Sequence, residues 1–259
     1  MQNAALAALG LADEWSYEAI DLEPAEFAER VRELTDREFV GANVTIPHKR
    51  AALDLADEAS QAASEIGAAN TLSFADGVIR AENTDGTGLV SALPDPPTGR
   101  NALVLGAGGS ARAAVWALAG PAASVSVWNR TSRRAEELVR DLAGVGPAVE
   151  SRLSPVSGDQ VRAGAFDLIV NCTAVGMEGE DPFDHLPLDP EGLGAGIILV
   201  DLVYAGGESR LVRQARDRGA ITVGGLEVLV RQGAESLRIW TGLDPPLDAM
   251  RSAAKGGPR

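Results

Sequence analysis

Lysine is scarce in this chain, and one of the two present stands where chemistry is possible. Of 23 basic residues only Lys49 and Lys255 are lysine. Codon usage in a GC-rich genome would give the same bias. Lys49, however, lies inside an ordered-looking segment, Gly41-Ala42-Asn43-Val44-Thr45-Ile46-Pro47-His48-Lys49, where arginine would have supplied equal charge. An ammonium can give up a proton in the working range and a guanidinium cannot. The spacing predicts an extended run over 39–46 that puts Asn43 and Thr45 on one face, a stop at Pro47, and Lys49 near the start of a helix. A second polar segment, Asn83-Thr84-Asp85-Gly86-Thr87-Gly88, supplies a carboxylate at Asp85. Taken alone it reads as a helix cap, since Thr and Asp are ordinary before a helix.

A third segment points to a nucleotide. Gly106-Ala107-Gly108-Gly109-Ser110-Ala111 directly follows the apolar run ALVL and directly precedes a helical pattern. It fits G-x-G-x-x-A, a variant of the dinucleotide fingerprint. Gly106 allows a tight turn, Gly108 lets backbone approach a pyrophosphate, and Ala111 lets the helix pack close to the sheet. The helix N-terminus adds unpaired N–H groups and partial positive charge. The next strand ends in Asn129-Arg130-Thr131-Ser132-Arg133-Arg134. An NAD enzyme usually carries an acid here for the ribose hydroxyl, and the first acid is Glu136. Three arginines at a helix start oppose its dipole. They are either solvated surface residues or the partners of an external anion, and the acid-free context favours the 2′-phosphate of NADP.

Elements that would carry these groups follow from periodicity. Residues 1–10 read as an amphipathic helix, 16–22 as a strand, and 24–35 as a helix opened by Pro24. A charged helical stretch covers 48–65. Two short strands, 70–74 and 78–81, flank the turn Ala75-Asp76-Gly77, and a helix covers 84–93. The stretch PDPPTGR (94–100) is the linker candidate. Beyond it, strands at 101–105, 124–128, 167–171, 197–202 and 221–223 alternate with helices at 110–119, 131–142 and 209–218. That alternation implies a mostly parallel sheet. A final helix covers 225–242. The expected organisation is a substrate domain over 1–93, with the C-terminal helix 225–259 packing back onto it, and a nucleotide-binding domain over 94–224.

Composition bounds the rest. The net charge of −14 argues against nucleic acid and acidic membranes. No apolar run approaches the roughly 20 residues of a membrane-spanning helix, and the first residues lack a basic n-region. The single cysteine, Cys172, excludes an internal disulfide framework and reads as a small packed residue. His48 reads as packing or surface, and His185 as a loop residue. With two histidines and one cysteine, no zinc site is expected. The expectation is a cytoplasmic protein, monomer or homodimer, with small-molecule ligands.

The chain resembles the shikimate/quinate dehydrogenase family. The matching motifs are NVTIPHK (43–49), GAANTL (67–72), NTDGTG (83–88), GAGGSAR (106–112), NRTSRRA (129–135), NCTAVGM (171–177), DLVY (201–204) and VLVRQGA (228–234). They keep the family's order and span nearly the whole chain. The resemblance implies two α/β domains, an N-terminal substrate domain and a Rossmann-like NADP-binding domain, with a cleft between them. It implies NADPH-dependent, reversible reduction of 3-dehydroshikimate to shikimate. It assigns Lys49 and Asp85 to catalysis, and Thr45, Asn70, Asp85, Tyr204 and Gln232 to the substrate. The cofactor side would use Gly106, Ala107, Gly108, Gly109, Ser110 and Ala111, then Asn129, Arg130, Thr131 and Arg134. Leu202 and Gly225 would reach the nicotinamide end.

Three departures stand against this pattern. After DLVY the family carries a proline-containing loop and a threonine, and here AGGESR (205–210) follows, which is expected to loosen that loop. Glu227-Val228 replaces a Gly-Met pair. The family also begins with a strand and a Ser-x-Ser loop that binds the substrate carboxylate, whereas MQNAALAALGL resembles the helix that follows that loop. The expectation drawn from this is a chain that binds NADP yet turns over shikimate poorly. The alternatives are an NAD-dependent quinate or cyclitol dehydrogenase, which the arginines oppose, and a non-catalytic nucleotide-binding paralogue, which Lys49 and Asp85 oppose.

Overall fold

The computed structural model describes residues 1–204 and 207–256. The chain divides into two compact units, one of Met1–Gly88 together with the chain from Leu229 onward, the other of Leu89–Val228.

The first unit begins with helix α1 (Gln2–Ala8), α2 (Phe27–Thr35), strand β1 (Gly41–Asn43), α3 (Lys49–Leu55), β2 (Glu58–Ala59), α4 (Gln61–Ile66), β3 (Thr71–Ala75) and β4 (Val78–Glu82), and runs into α5 (Asp85–Ala92). Its strands form one sheet in the order β1-β3-β4-β2, antiparallel except where β2 lies parallel to β4. The β3–β4 hairpin turns on Asp76 and Gly77, both with positive φ, 54° and 75°. An Asp-Gly pair suits that conformation because its twist matches the strands. Phe27, Val31, Ala52, Leu72 and Ile79 close the core of this sheet.

The second unit is a parallel α/β sheet. It comprises β5 (Asn101–Leu105), α6 (Gly109–Ala119), β6 (Ser124–Trp128), α7 (Ser132–Ala143), α8 (Pro147–Glu150), β7 (Leu153–Pro155), β8 (Leu168–Asn171), β9 (Ile198–Asp201), α9 (Arg210–Asp217) and β10 (Ile221–Gly224). The strand order is β10-β9-β8-β5-β6-β7, and every pairing is parallel. Both faces are covered, so the central strands are apolar apart from an end residue in each, Asn101, Asn171 and Asp201. Successive residues of β5 and β9 go to opposite faces. Ala102, Val104, Ile198 and Val200 pack with Val115 and Leu138. Leu103, Leu105, Ile197 and Leu199 pack with Leu193 and Leu211.

The chain ends in α10 (Gly225–Thr241) and α11 (Leu247–Lys255). Val230, Ala234 and Leu237 of α10 pack with Ala5 and Leu6 of α1 and Met250 of α11.

The sequence reading is corrected at four places. Residues 16–22 join no ladder. The Asn3 side chain instead takes both backbone groups of Tyr17, donating to its carbonyl at 2.8 Å and accepting from its N–H at 2.7 Å. The stretch 48–65 is not one helix, because Asp57 and Ser60 donate backbone N–H groups to Ile79 and Ala81 of β4, and Ser60 then caps α4. The run 39–46 pairs as a strand only over Gly41–Asn43, and Thr45 sits exposed in the turn that follows. Finally, α10 does not continue to the end, since Pro245 and Pro246 precede the separate helix α11.

Gly88 fixes the approach of α5 to α10. A Cβ there would lie 2.7 Å from both the Cβ and the backbone nitrogen of Gln232. Gly88→Ala is therefore expected to cost about 1–3 kcal/mol through overpacking, read by urea unfolding, whereas Ala at the exposed neighbour Thr87 leaves the midpoint nearly unmoved.

Candidate active site

Backbone bonds gather three polar segments of the first unit. The Val44 N–H donates to Asn70 O at 2.8 Å, the Ala69 N–H to Lys49 O at 2.8 Å, and the Asn70 N–H to Glu82 O at 3.0 Å. The segments around Lys49, Asn70 and Asp85 are thus registered by main chain before any side chain acts. The Asn83 side chain completes the frame, donating to Ala68 O at 2.8 Å and accepting from the Asp85 N–H at 3.1 Å at the start of α5.

On that frame, Lys49 Nζ donates to Asp85 Oδ2, and the two side chains are 12% and 15% exposed. Asp85 Oδ1 accepts from Asn70 Nδ2 at 2.8 Å. Asn70 Nδ2 also reaches Gln232 Oε1 at 3.0 Å and Thr84 Oγ1 at 2.9 Å. Its Oδ1 accepts from the Thr84 N–H at 2.8 Å and from Thr71 Oγ1 at 3.1 Å. Four polar side chains, Lys49, Asp85, Asn70 and Gln232, therefore form one connected group. Behind it, Ser236 Oγ lies 2.8 Å from both Thr71 Oγ1 and Asn43 Nδ2, and Asn43 Oδ1 accepts from Tyr17 Oη at 3.1 Å. Thr45 makes no contact with this group in the hydrogen bonds described, and its carbonyl accepts from the His48 N–H at 2.9 Å. His48 packs, stacked on Phe27 at 4.6 Å between ring centroids, with a ring nitrogen 2.9 Å from Leu22 O.

In the second unit the glycine turn follows the central strand β5. Gly106 has φ +113°, a conformation that favours glycine. A Cβ at Gly106 would lie 3.3 Å from the Cys172 carbonyl. At Gly108 a Cβ would meet nothing within 4 Å and would project into the open space before α6. No side chain caps α6, and a helix N-terminus suits an anion. Ala111 is fully buried. Across the sheet edge, Asn129 donates to Thr131 O at 3.0 Å. Arg130, Thr131 and Arg134 are exposed. Arg133 pairs with Glu137, whereas Arg130 and Arg134 join no ion pair among the described residues. These features suit a phosphorylated dinucleotide.

Two further residues end β8 and β9, Asn171 and Asp201, and a third, Ser209, precedes α9; the sequence reading gives these three no role. Asp201 is fully buried and accepts from Asn171 Nδ2 at 2.8 Å, from the Val203 N–H at 3.2 Å and from Ser209 Oγ at 2.5 Å. Ser209 also caps α9. Burial pushes the Asp201 carboxyl above the usual carboxylate range, and the bonds from Ser209, Val203 and Asn171 pull it back in part. Of the AGGESR departure, 205 and 206 lie outside the described residues, while Ser209 ties its end of the segment to the sheet. Val228, the other departure, is buried in the core. Tyr204 is 51% exposed. Leu202 takes Asn171 O through its N–H at 2.9 Å, and a Cβ at Gly225 would lie 2.5 Å from Leu202 O. A sharp polar residue closing an otherwise apolar strand, as in LIVN and ILVD, was the available signal for Asn171 and Asp201.

The parallel sheet with a glycine turn after its central strand, in one chain with a separate unit that carries a lysine–carboxylate pair, defines a nucleotide-dependent oxidoreductase of Rossmann type. The chain belongs to the shikimate dehydrogenase family. A model of the shikimate dehydrogenase substrate binding domain matches residues 1–72, and one of the shikimate 5′-dehydrogenase C-terminal domain matches 225–255. The shikimate dehydrogenase (NADP(+)) of Rubrobacter xylanophilus is 43% identical over 99% of this chain and 90% of its own length. The shikimate 5-dehydrogenase of Thermus thermophilus, solved with NADP(H) and shikimate, superposes with a TM-score of 0.85 at 39% identity, over 98% of this chain and 92% of that one. The ligand-free 5-ketofructose reductase of a Gluconobacter strain is also similar, with a TM-score of 0.87 at 28% identity, over 98% and 91% of the two chains. Among the described residues, no helix is long and apolar enough to cross a membrane, and no group of three His, Cys, Asp or Glu is placed to hold a metal.

The raised Asp201 carboxyl gives stability that is complete below its unfolded value and is lost as pH rises through its higher folded value. Relative to wild type, Asp201→Asn is therefore expected to gain stability as pH climbs through that window. Thermal unfolding of both proteins at stepped pH measures the change; a constant difference in Tm would show that the carboxyl does not titrate as burial demands.

Proposed function

We propose that this chain catalyses the reversible, NADP-linked reduction of 3-dehydroshikimate to shikimate. The observation that carries the reading is the pairing of Lys49 with Asp85 inside the Asn70–Gln232 group, in a chain whose relatives bear the name shikimate dehydrogenase (NADP(+)). The substrate would be held through Asn70, Asp85 and Gln232, with Thr45 and Tyr204 as further contacts. Amide and carboxylate groups suit a polyhydroxylated ring, because each hydroxyl both donates and accepts.

Bound NADPH supplies the hydride. As it reaches the ketone carbon, negative charge develops on the oxygen, and Lys49 Nζ stabilises that charge and gives it a proton. Lysine is left neutral and regains its proton from solvent; the reverse direction runs the same steps backward. Asp85 orients the ammonium and accepts from a neighbouring substrate hydroxyl. The turn Gly106–Ala111 would take the pyrophosphate against the α6 N-terminus. Asn129, Arg130, Thr131 and Arg134 would take the 2′-phosphate and adenosine ribose, and Leu202 and Gly225 would line the nicotinamide end.

Two measurements test this. Lys49→Met should lower kcat for shikimate oxidation by roughly 10²–10⁴-fold with little change in substrate affinity. Lys49→Arg should not restore it, because the guanidinium keeps the charge without moving the proton. A near-normal kcat in the arginine variant limits Lys49 to charge binding. Arg130→Ala should weaken NADP binding by roughly 10- to 100-fold, the loss of one charge-assisted phosphate contact, and leave NAD binding nearly as it was. Equal losses for both nucleotides count against the phosphate assignment.

A further inference from the structure

One buried carboxylate has no part in the steps above. Asp201 closes β9, and all three of its partners are donors: the Asn171 amide, the Val203 N–H and the Ser209 hydroxyl. Such a set suits a group that accepts at both of its oxygens, as a carboxylate does. Its two oxygens hold the two ends of the connection from β9 to α9. Oδ1 holds Val203, and so fixes the chain as it leaves β9 through Leu202. Oδ2 holds Ser209, where the chain returns into α9. Through Asn171 it also reaches the loop after β8. There Asn171 Oδ1 accepts from the Thr173 N–H at 3.1 Å and from Thr173 Oγ1 at 2.7 Å. That loop presses the Cys172 carbonyl toward Gly106.

The strand order tells which part of a dinucleotide these loops face. The sheet runs β9-β8-β5-β6, and the chain reverses its winding between β5 and β8. Ligands of such sheets lie outside the carboxyl ends at that reversal. With the pyrophosphate at the turn after β5 and the adenosine end at Asn129–Arg134 beyond β6, the other half must extend the opposite way, over β8 and β9. We propose that Asp201 is a positioning residue for the nicotinamide half of the cofactor, fixing Val203 directly, Thr173 through Asn171, and Ser209 at the entry to α9. This rests on the NADP reading above.

The test is binding rather than turnover. NADPH affinity is read by nucleotide fluorescence. Affinity for 2′-phospho-ADP-ribose, which lacks the nicotinamide riboside, is read by calorimetry. Asp201→Asn, which sets an amide donor against the Ser209 hydroxyl, should raise the NADPH Kd about tenfold or more and leave the fragment within about twofold. Ser209→Ala should shift the two ligands in the same unequal way, and Ser209→Thr, which keeps the hydroxyl, should bind both as wild type does. Ser209→Ala carries the test alone where Asp201→Asn does not fold. Folded variants with unchanged NADPH affinity, or with equal losses for both ligands, overturn the proposal. A wild-type chain that binds the fragment but gains nothing from the nicotinamide half overturns it too. One that binds neither ligand overturns the cofactor reading and the proposal with it.

Discussion

The side chain of Asn70 is 1% exposed and uses both ends of its amide. Its nitrogen side meets Asp85, Gln232 and Thr84, and its oxygen meets the Thr84 backbone and the Thr71 hydroxyl. A buried amide left unpaired would cost about 1–3 kcal/mol per group, so the surrounding chain is constrained to arrive in one arrangement. The start of α5 and, from far along the chain, α10 converge on this one residue beside β3. The position of Asp85 follows from that convergence, and the position of the Lys49 ammonium follows from Asp85. No other residue type offers donors and acceptors in this pattern at this size, aspartate and leucine included. Close backbone approach does the rest: glycine at 88 lets α5 lie against Gln232, which is what brings the α10 amide within reach.

The second unit solves a different problem by similar means. A parallel sheet covered on both faces delivers every loop of interest to one edge, and the strands themselves contribute only apolar packing. What shapes that edge is where polarity begins. β8 and β9 are apolar until their last residues, Asn171 and Asp201, which bind each other across the strand boundary. The pair stands at the point where sheet becomes loop, so it ties the end of the core to the segments that leave it. The desolvation that raises the Asp201 carboxyl is the cost of this placement, and three donors offset it.

Much of this was legible in the chain. The parallel unit could be read strand by strand, because buried parallel strands are continuous apolar runs and the glycine turn marks the central one. Lys49, Asp85, Asn70 and Gln232 were each identified through motif resemblance, and the structure brings them into one group. The small unit was harder. Its strands are short and its order is set by long-range pairing, so β2 was hidden inside an apparent helix, and an extended apolar pattern at 16–22 proved to be bonded by the amide of Asn3. Period alone does not say which backbone a strand will find. Asn171, Asp201 and Ser209 escaped assignment for a related reason. Each is an ordinary polar residue at the end of an element, and only the fold shows that three such ends meet.

The exposed arginines at 130 and 134 sit on a protein that carries a net charge of −14. At a distance, a net negative charge repels an anion such as a nucleotide, whereas close to this helix start the two guanidiniums would attract it. That attraction would be confined to roughly a Debye length, about 8 Å at physiological ionic strength. Long-range steering, which speeds encounter in many charged systems, therefore works against association here. Added salt acts in two opposed ways, lowering the outer barrier to approach while weakening the final contact. If these arginines take the nucleotide's phosphate as proposed, capture and retention are set by charges on different length scales, and the ionic medium tunes the two in opposite directions.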